Sequence, residues 1–285
     1  MLCGVTAAVL SVLVYSAAGA MDWPIDESAV LKNFGYNEQG RPLLGFAFLG
    51  DGVIKASSDG VILYSRRENH SASRLPSPMG AWMALDHGDG IISIYGRYND
   101  AEQELPFFEE KGSSLALAGI SGWSSFNGLY FQLYDRMERR WINPAMVIPF
   151  TDTVSPQILG VQMRNSGGRI FEGSQIRNLV QGKYTILINA VDLMEIKGRQ
   201  LAPHRIVCSV NGEEAGLLLF ETISARDGTL MINRNGLKKA VTIYAPYPFL
   251  EAGEVQLSRG QAILEISVHD ISGNSDNIVY RIQVE

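Results

Sequence analysis

No stretch of this sequence keeps apolar side chains in step at a period of 3.6 residues. That argues against helical bundles and coiled coils. What recurs instead is a short apolar run, a turn built from Gly, Asp or Asn, and a second run. Asp59-Gly60 leads into Val61-Ile62-Leu63-Tyr64. Trp82-Met83-Ala84-Leu85 passes through His87-Gly88-Asp89-Gly90 into Ile91-Ile92-Ser93-Ile94-Tyr95, which reads as a hairpin. Leu129 to Tyr134 is a further strand, followed by a charged turn from Asp135 to Arg140. The 29 glycines and 11 prolines are the turn stock such a pattern needs. The fold class expected is all-β.

The segment from Asn143-Pro144 to Ser155-Pro156 carries prolines at 144, 149 and 156. It reads as a linker and sets two units, residues 21–150 and residues 151–285. Most of the acidic excess lies in the first unit. The second alternates more cleanly, through Lys183–Val191, Ile206–Val210, Ala262–Val268 and Ile278–Val284. Asn211-Gly212 closes one strand with a strong hairpin signal. Strands at this spacing predict a β-sandwich of the immunoglobulin-like kind. Asp192 and His269-Asp270 read there as strand-end and turn residues, not as metal ligands.

Residues 1–20 contain no Lys, Arg, Asp or Glu, run apolar from Val5, and end on Ala18-Gly19-Ala20. This predicts an export signal cleaved after Ala20, and so a periplasmic or envelope protein. The run is short and Ala-rich for a membrane span. The other reading is an uncleaved N-terminal anchor, the one route to membrane contact. Of the two cysteines, Cys3 falls inside the signal. Cys208, within Ile206–Val210, reads as a buried core residue.

Composition narrows the function classes. With 46% hydrophobic and 19% charged residues the chain is globular, and its net charge of −6 is wrong for a nucleic-acid binder.

In the first unit several segments follow one another in a telling order: Phe34-Gly35, Gly45–Phe48, Val53-Ile54-Lys55-Ala56, Asp59-Gly60-Val61-Ile62, Leu85-Asp86-His87-Gly88-Asp89-Gly90, Lys111-Gly112, Gly119-Ile120-Ser121-Gly122 and Asn143-Pro144. The series resembles the lysostaphin-type (LytM-like) zinc metallopeptidases, which cut peptide cross-links in bacterial cell walls. The resemblance implies a LytM-like β domain and a zinc held by two His and one Asp.

Here the matched residues differ. The His-x-Gly-x-Asp element falls on Leu43 and Ala47, and the His-x-His strand on Gly128 and Tyr130. The Tyr-x-His element falls on Tyr95 and Arg97. None of His70, His87, His204 and His269 pairs at ligand spacing. The expectation is therefore a non-enzyme with no metal and no cofactor.

Inactive members of this family regulate cell-wall hydrolases by binding them. The resemblance thus implies a regulator whose old groove, at Arg97, Tyr130 and Tyr95, meets a hydrolase or a peptidoglycan peptide. Two other readings stay open: a peptidoglycan-binding module without an enzyme partner, and residual cell-wall endopeptidase activity.

Overall fold

The computed structural model describes residues 20–67, 76–99, 106–194 and 199–285. Residues 1–19 of the expected export signal, with Cys3, and His70 lie outside these residues.

The first half is built from β1 (Val30–Lys32), β2 (Phe46–Leu49), β3 (Val53–Lys55), β4 (Gly60–Arg66), β5 (Ala81–Asp86), β6 (Ile91–Asn99), β7 (Phe108–Glu109), β8 (Ser114–Ala118), β9 (Gly128–Asp135) and β10 (Arg140–Ile142). All the pairings among them are antiparallel, running β1–β2–β9–β6–β5–β4–β7, with β8 joining β6 to β3. Strand β9 is central. Its residues are buried on both faces apart from Tyr134, which explains a nearly continuous apolar run where a half-exposed strand would alternate.

The second half contains β11 (Gln157–Asn165), β12 (Ile170–Glu172), β13 (Asn178–Leu179), β14 (Gly182–Leu193), β15 (Gln200–Leu201), β16 (Arg205–Val210), β17 (Glu213–Arg226), β18 (Thr229–Arg234), β19 (Leu237–Lys239), β20 (Leu250–Leu257), β21 (Gly260–His269) and β22 (Ser275–Val284), with one short helix, α1 (Ala240–Tyr244). It is a two-layer sandwich. One sheet holds β12, β11, β14, β15 and β20. The other runs β19–β18–β17–β16–β21–β22–β13. The layers come very close where Gly216 of β17 faces β20. A Cβ there would lie 2.6 Å from the Gly253 Cα. Asn211 and Gly212 both take left-handed backbone, at φ 53° and 82°, which a two-residue hairpin with the right twist requires.

The proline-rich segment is not a free tether. Strand β10 pairs with β9 on one side and β17 on the other, Trp141 opposite Ile223, so a sheet passes from one half into the other. Asn143 donates through Nδ2 to the Phe220 carbonyl at 2.9 Å. Asn33 and Ala202 exchange two hydrogen bonds of 2.8 and 2.7 Å, and the Tyr244 hydroxyl donates to the Gly35 carbonyl at 2.7 Å. A single apolar core includes Phe46 and Phe131 of the first half and Phe220, Ile206 and Leu264 of the second. The three prolines lie between β10 and β11, strands of different sheets.

Among the described residues no helix is long and apolar enough to cross a membrane. Cys208 is fully buried on β16, and burial pushes its thiol up to about 12. Because only the thiolate attacks, Cys208 is expected to stay unalkylated in the native chain and to react completely after unfolding. Peptide mapping after iodoacetamide treatment reads this. Comparable labelling in the native and unfolded chains would contradict the burial.

Candidate functional site

The three positions matched to zinc ligands come together. Leu43, Ala47 and Tyr130 form a small buried cluster of their own, separate from the main core, with Tyr36, Met79 and Phe126 packed against it. The cause is strand pairing. Ala47 of β2 lies opposite Tyr130 of β9, and Tyr130 lies opposite Gly96 of β6. The segment entering β2 brings Leu43 alongside, and the Leu44 N–H donates to the Tyr130 hydroxyl at 3.2 Å. Gln132 Nε2 donates to the same hydroxyl at 3.0 Å. Burial pushes the Tyr130 phenol up to about 12, so it stays protonated at neutral pH.

Leu43 and Ala47 offer no lone pair to a metal, and the Tyr130 oxygen is engaged by two N–H donors. Gly128, matched to the other His of the strand, has no room for a side chain. A Cβ there would overlap the Phe48 carbonyl oxygen.

Arg97 reaches the cluster by a bulge. Ala81 pairs with Tyr98 and Trp82 with Gly96, which leaves Arg97 as an extra residue in β6. Its φ is 68°, the left-handed region that non-glycine residues seldom enter. A bulge of this kind re-aims a side chain. The Arg97 guanidinium sits over the Tyr130 ring, 5.0 Å from its centroid. Arg97 is partly exposed, and its Nε has no hydrogen-bond partner. Trp123, 72% exposed, stands on the loop that also supplies Phe126.

Tyr95 departs from the expectation that it lines the groove. Its ring is fully buried and packs on Phe131, centroids 5.3 Å apart. Its hydroxyl accepts from the Ser57 N–H at 2.9 Å and from Ser93 Oγ at 3.0 Å. Simple alternation puts residues 95 and 97 on one face, and the bulge between them breaks it. The same network explains His87. Its Nδ1 lies 2.7 Å from the Asp59 carbonyl and its Nε2 2.8 Å from Ser93 Oγ, so it ties the β5–β6 hairpin to the turn before β4.

Among the described residues, one group of acidic, His or Cys side chains is spaced to hold a metal, and it lies elsewhere: Asp152, Asp192 and Asp270. Sequence reasoning read Asp192 and Asp270 as turn and strand-end residues and did not single out Asp152. Burial, then the neighbouring Asp152 and Asp270 carboxylates, raise Asp192 to about 8.

A protein-family model matches residues 155–285. No curated protein matches the sequence. Solved structures do. A zinc containing peptidase from Vibrio cholerae shares 19% identity at a TM-score of 0.34, over 41% of this chain and 37% of that one. The match thus spans well under half the length of that peptidase. The SpoIIQ-SpoIIIAH pore forming complex matches at 16% identity and a TM-score of 0.37, over 46% and 92%. The antimicrobial peptidase lysostaphin from Staphylococcus simulans matches at 16% and 0.37, over 93% and 92%. The chain is an all-β protein similar to zinc and lysostaphin peptidases.

Proposed function

We propose that the first half is a lysostaphin-type domain whose metal position has closed, and that it serves at the cell envelope by binding a cell-wall hydrolase instead of cutting peptide. One observation carries the reading. Three positions that the family resemblance matches to zinc ligands, at 43, 47 and 130, meet in one cluster, and that cluster is apolar and shut. A site that had merely moved would leave ligand side chains nearby. A site turned to binding needs only a surface: the partly exposed Arg97 caps the buried Tyr130 ring, and the exposed Trp123 stands on the loop whose Phe126 packs on the cluster, a cation and an aromatic suited to a carboxylate-bearing peptide segment.

The test uses the purified full chain and a purified cell-wall amidase. The wild-type chain is expected to retain no stoichiometric zinc after exposure and desalting, to leave cell walls unlysed, and to capture the amidase. Arg97→Ala with Trp123→Ala, both at partly or largely exposed positions, is expected to weaken capture about 30-fold, the scale of losing an interface hot spot. Cell-wall lysis stopped by a chelator would overturn the non-catalytic reading. Capture of purified sacculi with none of the amidase would overturn the hydrolase-binding one.

A further inference from the structure

We propose that Asp152, Asp192 and Asp270 form a calcium site that fastens the connection between the halves to the sandwich. The three residues lie 40 and 78 positions apart in the sequence and come from different places: the segment after β10, the end of β14 and the turn after β21. One oxygen from each lies within 4.8 Å of the others. Asp192 is 4% and Asp270 3% exposed, and Asp152 is partly exposed, which leaves a way in for an ion.

Hydrogen bonds from N–H groups hold the Asp152 and Asp270 carboxylates in place. Asp270 Oδ1 accepts from the Asn274 N–H at 2.8 Å and its Oδ2 from Asn274 Nδ2 at 2.6 Å. Asn274 Nδ2 also donates to the Asp152 carbonyl at 3.2 Å, so one amide orients two of the three residues. Asp152 Oδ1 accepts from the Val154 N–H at 2.9 Å, and its own N–H donates to Ser272 Oγ at 3.1 Å. Supports of this sort hold ligands in place around a metal. Asp192 Oδ1 differs: it is buried and receives no hydrogen bond. No Lys or Arg among the described residues pairs with Asp192 or Asp270. A buried carboxylate oxygen with neither donor nor countercharge is rarely kept. A cation at this point supplies what is lacking.

The chemistry of the donors selects the ion. All three are carboxylates, so a hard cation fits and zinc's preference for nitrogen and sulfur does not. Calcium bonds of 2.3–2.6 Å place oxygens across the ion up to about 5.2 Å apart, whereas magnesium, at 2.0–2.1 Å, draws them to about 4.2 Å. Calcium also takes further oxygens from backbone or water without strict geometry. Its charge would offset the repulsion that ionised carboxylates at this spacing otherwise meet.

The full chain, stripped with a chelator, is titrated with calcium chloride while its melting temperature and binding heat are followed. One calcium per chain is expected, with a rise in Tm of about 5 °C or more at a hundredfold excess over Kd, and a smaller rise with magnesium. Asp192→Asn, which keeps the shape, and Asp152→Asn, at a partly exposed position, are each expected to abolish the response while melting cooperatively. A wild-type chain whose Tm ignores calcium would overturn the proposal, because Asp192 would then simply hold its own proton. Equal shifts in the wild type and both variants would overturn it too, by placing the ion elsewhere.

Discussion

Glu251→Ala is expected to lose about 3–5 kcal/mol of stability, the usual cost of stranding one partner of a buried ion pair. Glu251 is 5% exposed, and its two oxygens serve two arginines. Oε1 accepts from Arg234 Nη1 at 2.7 Å and Oε2 from Arg164 Nη2 at 2.9 Å. Glu251 and Arg164 sit on one sheet of the sandwich, on β20 and β11, and Arg234, 7% exposed, sits on β18 of the other. The carboxylate is therefore the electrostatic joint between the layers. Glu254, 3.5 Å from Arg234 Nη2, is half open to solvent and shared with Lys183 at 2.6 Å, so it cannot take over. Urea unfolding of Glu251→Ala against the wild type measures the loss. A difference below about 1 kcal/mol would mean that the pair behaves as a solvated surface contact.

Gly128→His is the second large effect expected, a loss of about 3 kcal/mol or failure to fold. The position is the one the family resemblance matches to a histidine, so the substitution looks like a restoration. The structure forbids it. A Cβ at 128 overlaps the Phe48 carbonyl oxygen and comes within 3.1 Å of the Phe126 ring. The obstacle is backbone of the paired strand β2, with Leu49 opposite Gly128. No rotamer change can clear it, and β2 would have to part from β9. Circular dichroism and a thermal melt decide the matter. A variant as stable as the wild type would show that β2 and β9 do not pair in this register.

What the sequence reveals and what it hides divide along a physical line. Elements carrying their own alternation are legible. The hairpin of β5 and β6, the run Leu129–Tyr134 in β9, the strands through Lys183–Val191, Ile206–Val210 and Ala262–Val268, and the left-handed Asn211-Gly212 turn all lie where local pattern puts them. The convergence of Leu43, Ala47 and Tyr130 is legible only through resemblance to a family, because nothing in those residue types announces a site. Relations between distant segments are not legible. The pairing of β10 with β17 leaves no trace in either strand, since Arg140–Ile142 is three residues long and would suit many neighbours. The extra residue at Arg97 defeats the period-two rule, which is why Tyr95 points into the core while Arg97 reaches Tyr130. Asp152, Asp192 and Asp270 each look like ordinary turn or strand-end residues, and only the fold makes them neighbours.

The strand pair that carries one half of the chain into the other bears on how such a protein can arise and be divided. A chain ended near residue 150 would leave one side of β10 without its partner β17, and would bare the apolar surface that meets Phe220. Unpaired strand edges recruit other chains. The two halves are thus poor building blocks for recombination. Any exchange of one half for a foreign module would have to bring a matching strand edge with it.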